Sequence, residues 1–337
     1  MSARRRDRRP DGDAPPAGTP GRGHEATPLT LVAGFSEESR HRAVRRWLAD
    51  RPQHERWAVL VDGVLDDRGP APGLALDSRE GVDVFGTAAG CACCVGALAL
   101  RSTLARVLRQ GPWHRLLLVL SAPARPAALI DALRAGIVGD ALRVDAVIAV
   151  VDARRPGPWL DPSSPGAVLA REQVDVATLV VLDSGAKRAS EAASEPAPGR
   201  QPAAADRSRG ERERLVAVLA DGPLGSRPLL DARDGMPGWG EVLAALHHRA
   251  SRTRRVWPAE VVFDRVRLRH ALAALRAREA GVPMRGLFRT AREWYRWDPE
   301  AAEPWVPTHW RLDSQLECAL TGEEIDAMLS SAIDITA

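Results

Sequence analysis

Short apolar runs alternate with amphipathic stretches through the first two thirds of the chain. The runs are Leu29–Ala33, Trp57–Val61, Val82–Phe85, Leu116–Leu120, Ala146–Val151 and Thr178–Leu182. Most are apolar at nearly every position, which predicts strands buried on both faces rather than on one. Between them the period changes. Ser36 is placed to cap a helix, Glu37 and Glu38 fall in its first turn where the helix dipole favours acids, and Val44, Trp47 and Leu48 recur at helical spacing. Leu100, Leu104, Val107 and Leu108 make a second helix face, ended by Gly111-Pro112, and Ala127 to Leu133 a third helix. The pattern resumes at Leu215, Val218 and Leu219, and again at Val242, Leu243 and Leu246. Strands alternating with helices in this way predict an α/β domain with a mostly parallel sheet and helices on both faces. Ligands of such sheets gather at the carboxyl ends of the strands. Gly34, Cys91 and Ser121 each follow a predicted strand and are expected on that one edge.

Three stretches break the pattern. Residues 1–27 are rich in Arg, Pro, Gly and Asp and lack apolar periodicity, which predicts a disordered arm. Residues from about 184 to 210 are Ala, Ser, Pro, Glu and Arg and read as a flexible insertion. Arginines at 249, 252, 254 and 255 read as a linker. The expected organisation is an arm over 1–27, an α/β domain over 28–250 and a small C-terminal α+β domain over 256–337. In the last, Val261–Phe263 reads as a strand, Leu268, Leu272 and Leu275 as a helix face, 287–290 and 293–297 as strands around a turn, and Glu323–Met328 as a closing helix. Trp294, Tyr295, Trp297, Trp305 and Trp310 could stack nucleic-acid bases. No basic motif accompanies them, so sheet core or a domain interface is the reading adopted and no nucleic-acid partner is expected.

Composition adds limits. The 337 residues, 45% of them hydrophobic, suffice for two cores, and a formal net charge of +3 selects no acidic partner. Only one lysine, Lys187, is present among 47 basic residues. No apolar run is long enough to span a membrane, and the Arg-rich start lacks the apolar stretch of a secretory signal. A cytoplasmic location is expected. Of the four cysteines, Cys91, Cys93 and Cys94 fall within Gly90–Gly96, and Cys318 is distant. Neighbouring cysteines rarely meet disulfide geometry. Three thiolates on one turn suit a soft metal, Zn(II) first and Co(II) second. A water, a metabolite, Asp62 or a histidine could complete the site. His247-His248 read as solvated helix-end residues.

The order of these parts resembles the CobW-type family of P-loop GTPases, relatives of the urease and hydrogenase nickel-insertion GTPases. The resemblance rests on the strand and turn at 29–36, the Cys91-Ala92-Cys93-Cys94 turn, the segment Leu142–Ala153, Glu172–Ala177 and the Arg285-Gly286-Leu287-Phe288 stretch. It implies a P-loop NTPase-like fold and a metallochaperone or metal-homeostasis role, with zinc or with cobalt in cobalamin synthesis. It also implies that Cys91, Cys93 and Cys94 bind the metal and that a client metalloprotein receives it. The nucleotide motifs depart from the family pattern. Gly34 keeps the first glycine of the phosphate loop, but Ser39, Arg40 and His41 stand where Gly-Lys-Thr is expected. Asp62-Gly63, Leu120–Pro123 and Asp183–Ala186 replace the remaining nucleotide elements. The expectation is a metal-binding CobW-like protein in which GTP and magnesium are not retained. Two alternatives stay open: an active GTP-hydrolysing metallochaperone with Arg40 in place of lysine, and a pseudoenzyme scaffold that binds an intact paralogue.

Overall fold

The computed structural model describes residues 26–62, 65–66, 69–70, 80–87, 97–137, 141–185, 202–222, 224–248, 254–279 and 281–334. The first part runs β1 (Thr27–Ala33), α1 (Glu37–Ala49), β2 (Trp57–Val61), β3 (Val82–Gly86), α2 (Ala97–Arg109), β4 (Arg115–Val119), α3 (Pro126–Ala132) and β5 (Leu142–Asp152). It continues with α4 (Gly157–Leu160), α5 (Ala167–Asp175), β6 (Leu179–Asp183), α6 (Pro202–Ala220), β7 (Leu229–Asp231) and α7 (Trp239–His248). The described strands form a seven-stranded sheet in the order β7-β6-β5-β1-β4-β2-β3, parallel at every pairing.

The unbroken apolar runs follow from this topology, because alternate residues of one strand serve two different cores. Leu29, Leu31 and Ala33 of β1 face one core with Leu100 and Leu104 of α2, Leu129 and Ile130 of α3 and Leu215 and Leu219 of α6. Val32 faces the other, with Val44 and Trp47 of α1 and Trp239 and Val242 of α7. The chain leaves β1 towards β2 on one side, then crosses from β4 to β5 on the other. The carboxyl ends of β1 and β5 therefore flank the switch point of the sheet, where a crevice opens in folds of this type.

The second part runs β8 (Arg254–Pro258), α8 (Arg265–Arg278), β9 (Arg285–Arg289), β10 (Trp294–Trp297), β11 (Trp305–Pro307), β12 (Asp313–Glu317) and α9 (Gly322–Leu329). Its strands form an antiparallel sheet in the order β8-β12-β9-β10-β11. Helices α8 and α9 lay Leu268, Leu272, Leu275, Ile325 and Leu329 against Trp257, Phe288, Trp297 and Leu316. Trp294, Tyr295, Trp297 and Trp310 are buried, as a sheet core requires. The two parts touch at residues 308–312 and through a small apolar cluster. Arg134 donates to the carbonyl oxygens of Arg311 and Leu312, Arg311 pairs with Asp131 at 2.9 Å, and Leu224 packs with Leu287, Trp294 and Trp310.

Three sequence expectations differ from the structure. Helix α6 begins at Pro202, inside the stretch read as an insertion to residue 210, while residues 186–201 lie outside the described residues. Arg254 and Arg255, read as linker, are the first residues of β8, held by Glu317 and Asp326. The strand read at Val261–Phe263 is instead β8 at 254–258, and Phe263 makes only isolated bridges to Thr290 and Ile333. An arginine-rich strand hides from an apolar-run search, because its register and its acidic cross-strand partner come from elsewhere in the chain.

Candidate functional site

The edge is built from the residues that end β1 to β6. After β1 the chain turns at Gly34, whose φ is +140°, and a Cβ there would lie 2.1 Å from the carbonyl oxygen of Val150. Only glycine fits this crossing of β1 and β5. Two residues later Ser36 caps α1, its hydroxyl accepting from the Ser39 N–H at 3.3 Å, and the Arg40 N–H donates to the Ser36 carbonyl at 3.1 Å. The helix thus starts at Glu37 and its first turn carries Glu37 and Glu38.

The residues named for the phosphate loop come together here, and all three side chains face inwards. Ser39, Arg40 and His41 are buried. Arg40 turns its guanidinium back onto the Gly34 carbonyl oxygen. Burial pushes its pKa down to about 10, against the pull of Glu37 and Asp62. Burial also pushes His41 down to about 4, with Glu37 at 3.8 Å opposing and Arg40 and Arg45 reinforcing the shift. At neutral pH His41 is an uncharged imidazole in the helix interior face.

Beyond β2, Asp62 ties three strand ends. Its carboxylate accepts from the Ser121 hydroxyl at 2.7 Å and the Ser121 N–H at 3.2 Å after β4, and from the Thr87 hydroxyl at 3.4 Å after β3. The loop following Ser121 is fixed by α5, where Gln173 donates to the carbonyls of Ala122 and Ala124, both at 2.9 Å, and Glu172 pairs with Arg125 at 3.2 Å.

On the other side of the switch point, β5 and β6 end in register on Asp152 and Asp183. Two buried carboxylates on adjacent strands repel unless cations meet them. Arg154 meets Asp152 through two bonds of 2.8 and 2.9 Å, and Arg42 of α1 lies 3.2 Å from Asp183 and 2.9 Å from Glu38. Burial alone would raise Asp152, but the hydrogen bonds and charge of Arg154 outweigh it and hold the carboxyl below its ordinary range. Arg154 is shifted upwards by the same bonds. Arg42 and Arg154 carry no motif of their own, and their role was not read from sequence. The signal that could have found them is the pair of aspartates closing two apolar strands.

Cys91, Cys93 and Cys94 lie outside the described residues, in the segment that follows Thr87. Cys318 is buried in the core of the antiparallel sheet, and burial raises its thiol pKa. Among the described residues no cluster of three His, Cys, Asp or Glu could hold a metal ion, and no helix is long and apolar enough to cross a membrane.

Residues 28–194 match the family described as CobW/HypB/UreG, nucleotide-binding domain. The domain over these residues belongs to this CobW-type family. It is 29% identical over 157 residues to the zinc chaperone YeiR of Escherichia coli, a match covering 47% of this chain and 46% of that protein. It is 30% identical over 182 residues to the zinc chaperone CobW of Pseudomonas aeruginosa, covering 46% and 48%. The matched part thus spans about half the length of these curated relatives. Among solved structures, the Zn(II)-bound YjiA GTPase from E. coli covers 91% of this chain and 99% of its own, at 15% identity and a TM-score of 0.44. The match over 28–194 places the strands β1 to β6, and with them the whole edge described above, within the family's nucleotide-binding domain.

Proposed function

We propose that this CobW-type protein carries Zn(II) as cargo on Cys91, Cys93 and Cys94 for delivery to a client metalloprotein, and that it does so without a GTP cycle. The zinc reading is supported by the two zinc chaperones it resembles and by the thiolate-rich turn. Three soft anionic ligands hold Zn(II) well, and ligand exchange with a client's thiols or imidazoles would move the ion on.

The reading of the nucleotide edge rests on the start of α1. A triphosphate needs backbone N–H groups free to converge on it at a helix N-terminus. Here Ser36 takes the Ser39 N–H, and Arg40 spends its charge inside the protein on Gly34. Glu37 and Glu38 occupy the turn where phosphate would sit. A carboxylate about 4 Å from a phosphate charge costs about 4 kcal/mol at an effective dielectric near 20. Arg42 and Arg154 already neutralise the aspartates that end β5 and β6. The donor set does not fit GTP with magnesium, and no step is assigned to nucleotide.

Two titrations test the proposal. Cobalt substitution should give sulfur-to-metal charge-transfer absorption at about one ion per chain, lost in Cys93→Ser and kept in Cys318→Ser. GTP with magnesium should show no binding at micromolar concentrations. Equal loss of the cobalt signal in both cysteine variants would move the metal site elsewhere. Micromolar, magnesium-dependent GTP binding would restore an active GTPase.

A further inference from the structure

On the edge of the parallel sheet opposite the site described, the two parts of the chain enclose a cleft of about 680 Å³. That volume suits a small organic ligand, and domain junctions are a common place for one. One wall is the end of α3 and the start of β5, with Asp131, Arg134 and Arg143. The facing wall is the β8 end and the turn between β9 and β10, with Glu260, Arg289 and Arg292. Arg311 and Glu293 complete its charged lining, giving five arginines against three acids.

The excess is not cancelled by the contacts the arginines make. Arg311 is matched by Asp131 at 2.9 Å. Arg134 gives two N–H groups to the carbonyls of Arg311 and Leu312, and Arg289 gives one to the carbonyl of Ala259. A carbonyl oxygen satisfies a donor without removing its charge. Arg134 is half-buried with its guanidinium 5.9 Å from the Trp294 ring centre, and burial, opposed by Glu260, Asp131 and Asp313 and reinforced by the Arg289 charge, pushes its pKa down. Arg143 and Arg292, both exposed, stand at the mouth.

We infer that this cleft binds a small organic polyanion, a multiply charged carboxylate or phosphate compound bridging the two domains. Guanidinium forks match both headgroups, because each offers paired oxygens at hydrogen-bond spacing. Binding would supply the missing negative charge and join Arg143 of one wall to Arg292 of the other. The site is independent of the zinc and nucleotide readings, and its lining shares no residue with the Gly34–His41 edge.

The test uses the full-length protein at fixed ionic strength. Citrate, pyrophosphate and, as a monoanion control, acetate are titrated by calorimetry and by thermal melting. Citrate, pyrophosphate or both should bind saturably at micromolar to millimolar concentrations and raise Tm, with acetate inert, and the stronger of the two identifies the headgroup class. Arg143→Glu with Arg292→Glu, two exposed positions, should keep the ligand-free Tm and weaken binding at least tenfold. Absence of saturable binding by both polyanions would overturn the inference. So would binding unchanged in the double variant, and a pyrophosphate signal that instead disappears in Arg40→Glu would assign it to the α1 edge and count against the nucleotide reading.

Discussion

At the scale of single residues, the site is defined by side chains that turn inwards. His41 is the clearest case. Its imidazole is buried, and burial, reinforced by the Arg40 and Arg45 charges, lowers its pKa to about 4 from the ordinary 6.5. The unfolded chain therefore binds the proton first as pH falls. Stability from this group is unaffected above the ordinary value, declines as pH drops below it, and levels off once the folded state is protonated too. The loss should be on the order of 2 kcal/mol after discounting for solvent screening. Urea melts between about pH 7 and pH 4 should show a shallower acid decline for His41→Gln than for the wild type. Identical slopes for the two proteins would show that His41 is not the group responsible. Gly34 was legible as the first glycine of a loop, but the reason it must be glycine is the Val150 carbonyl of a strand more than a hundred residues away.

At the scale of elements, the carboxyl end of β6 in the sheet is held by α1. Asp183 is buried, and its partner Arg42 reaches it from the middle of the helix. Removing only the cation leaves a buried carboxylate uncompensated, which costs about 3–5 kcal/mol at fully buried pairs. Because Arg42 is partly exposed, Arg42→Ala should cost about 2–3 kcal/mol. Adding Asp183→Asn should recover much of that loss, since the buried charge goes with it. Simple additivity in this double-mutant cycle, measured by denaturant unfolding, would mean that the pair is not coupled. The start of α1 was readable beforehand, because a Ser cap followed by two glutamates is a local signal. The extent of α6 was not. Its first residues have the same Ala, Arg and Pro composition as the stretch preceding it.

Over the whole molecule, the α/β domain and the antiparallel sheet meet on residues 308–312. Arg134 is the clamp, bonded to two backbone carbonyls of that segment. Arg134→Gln should let the C-terminal sheet melt ahead of the α/β domain, so that calorimetry resolves two transitions where the wild type shows one. A single transition at the wild-type Tm would exclude this coupling. His309 adds a pH dependence to the same junction. The Asp175 carboxylate, 3.7 Å away, raises its pKa above the ordinary histidine value despite burial. The sign is opposite to His41: the contribution is full below the ordinary pKa and is lost as pH rises through the raised one. The lower transition of Arg134→Gln should therefore fall in temperature on going from about pH 6 to about pH 8, and His309→Gln should abolish that fall.

The sequence by itself determined six of the seven strands of the parallel sheet, all but β7, and the apolar faces of α1, α2, α3, α6 and α7. Each is encoded in a local period, and a strand apolar at every position has no stable place except between two layers. It also determined the family, through the cysteine turn and the order of parts. Tertiary structure alone decided what fills the carboxyl edge. Asp152 and Asp183 become neighbours only when β5 and β6 pair in that register, and Arg42 reaches Asp183 only once α1 packs across the sheet. The same holds for β8, an arginine strand defined by its pairing with β12, and for the cationic cleft, whose walls come from two domains. Apolar periodicity is a property of one segment, whereas charge pairing between distant segments depends on a register that no single segment contains.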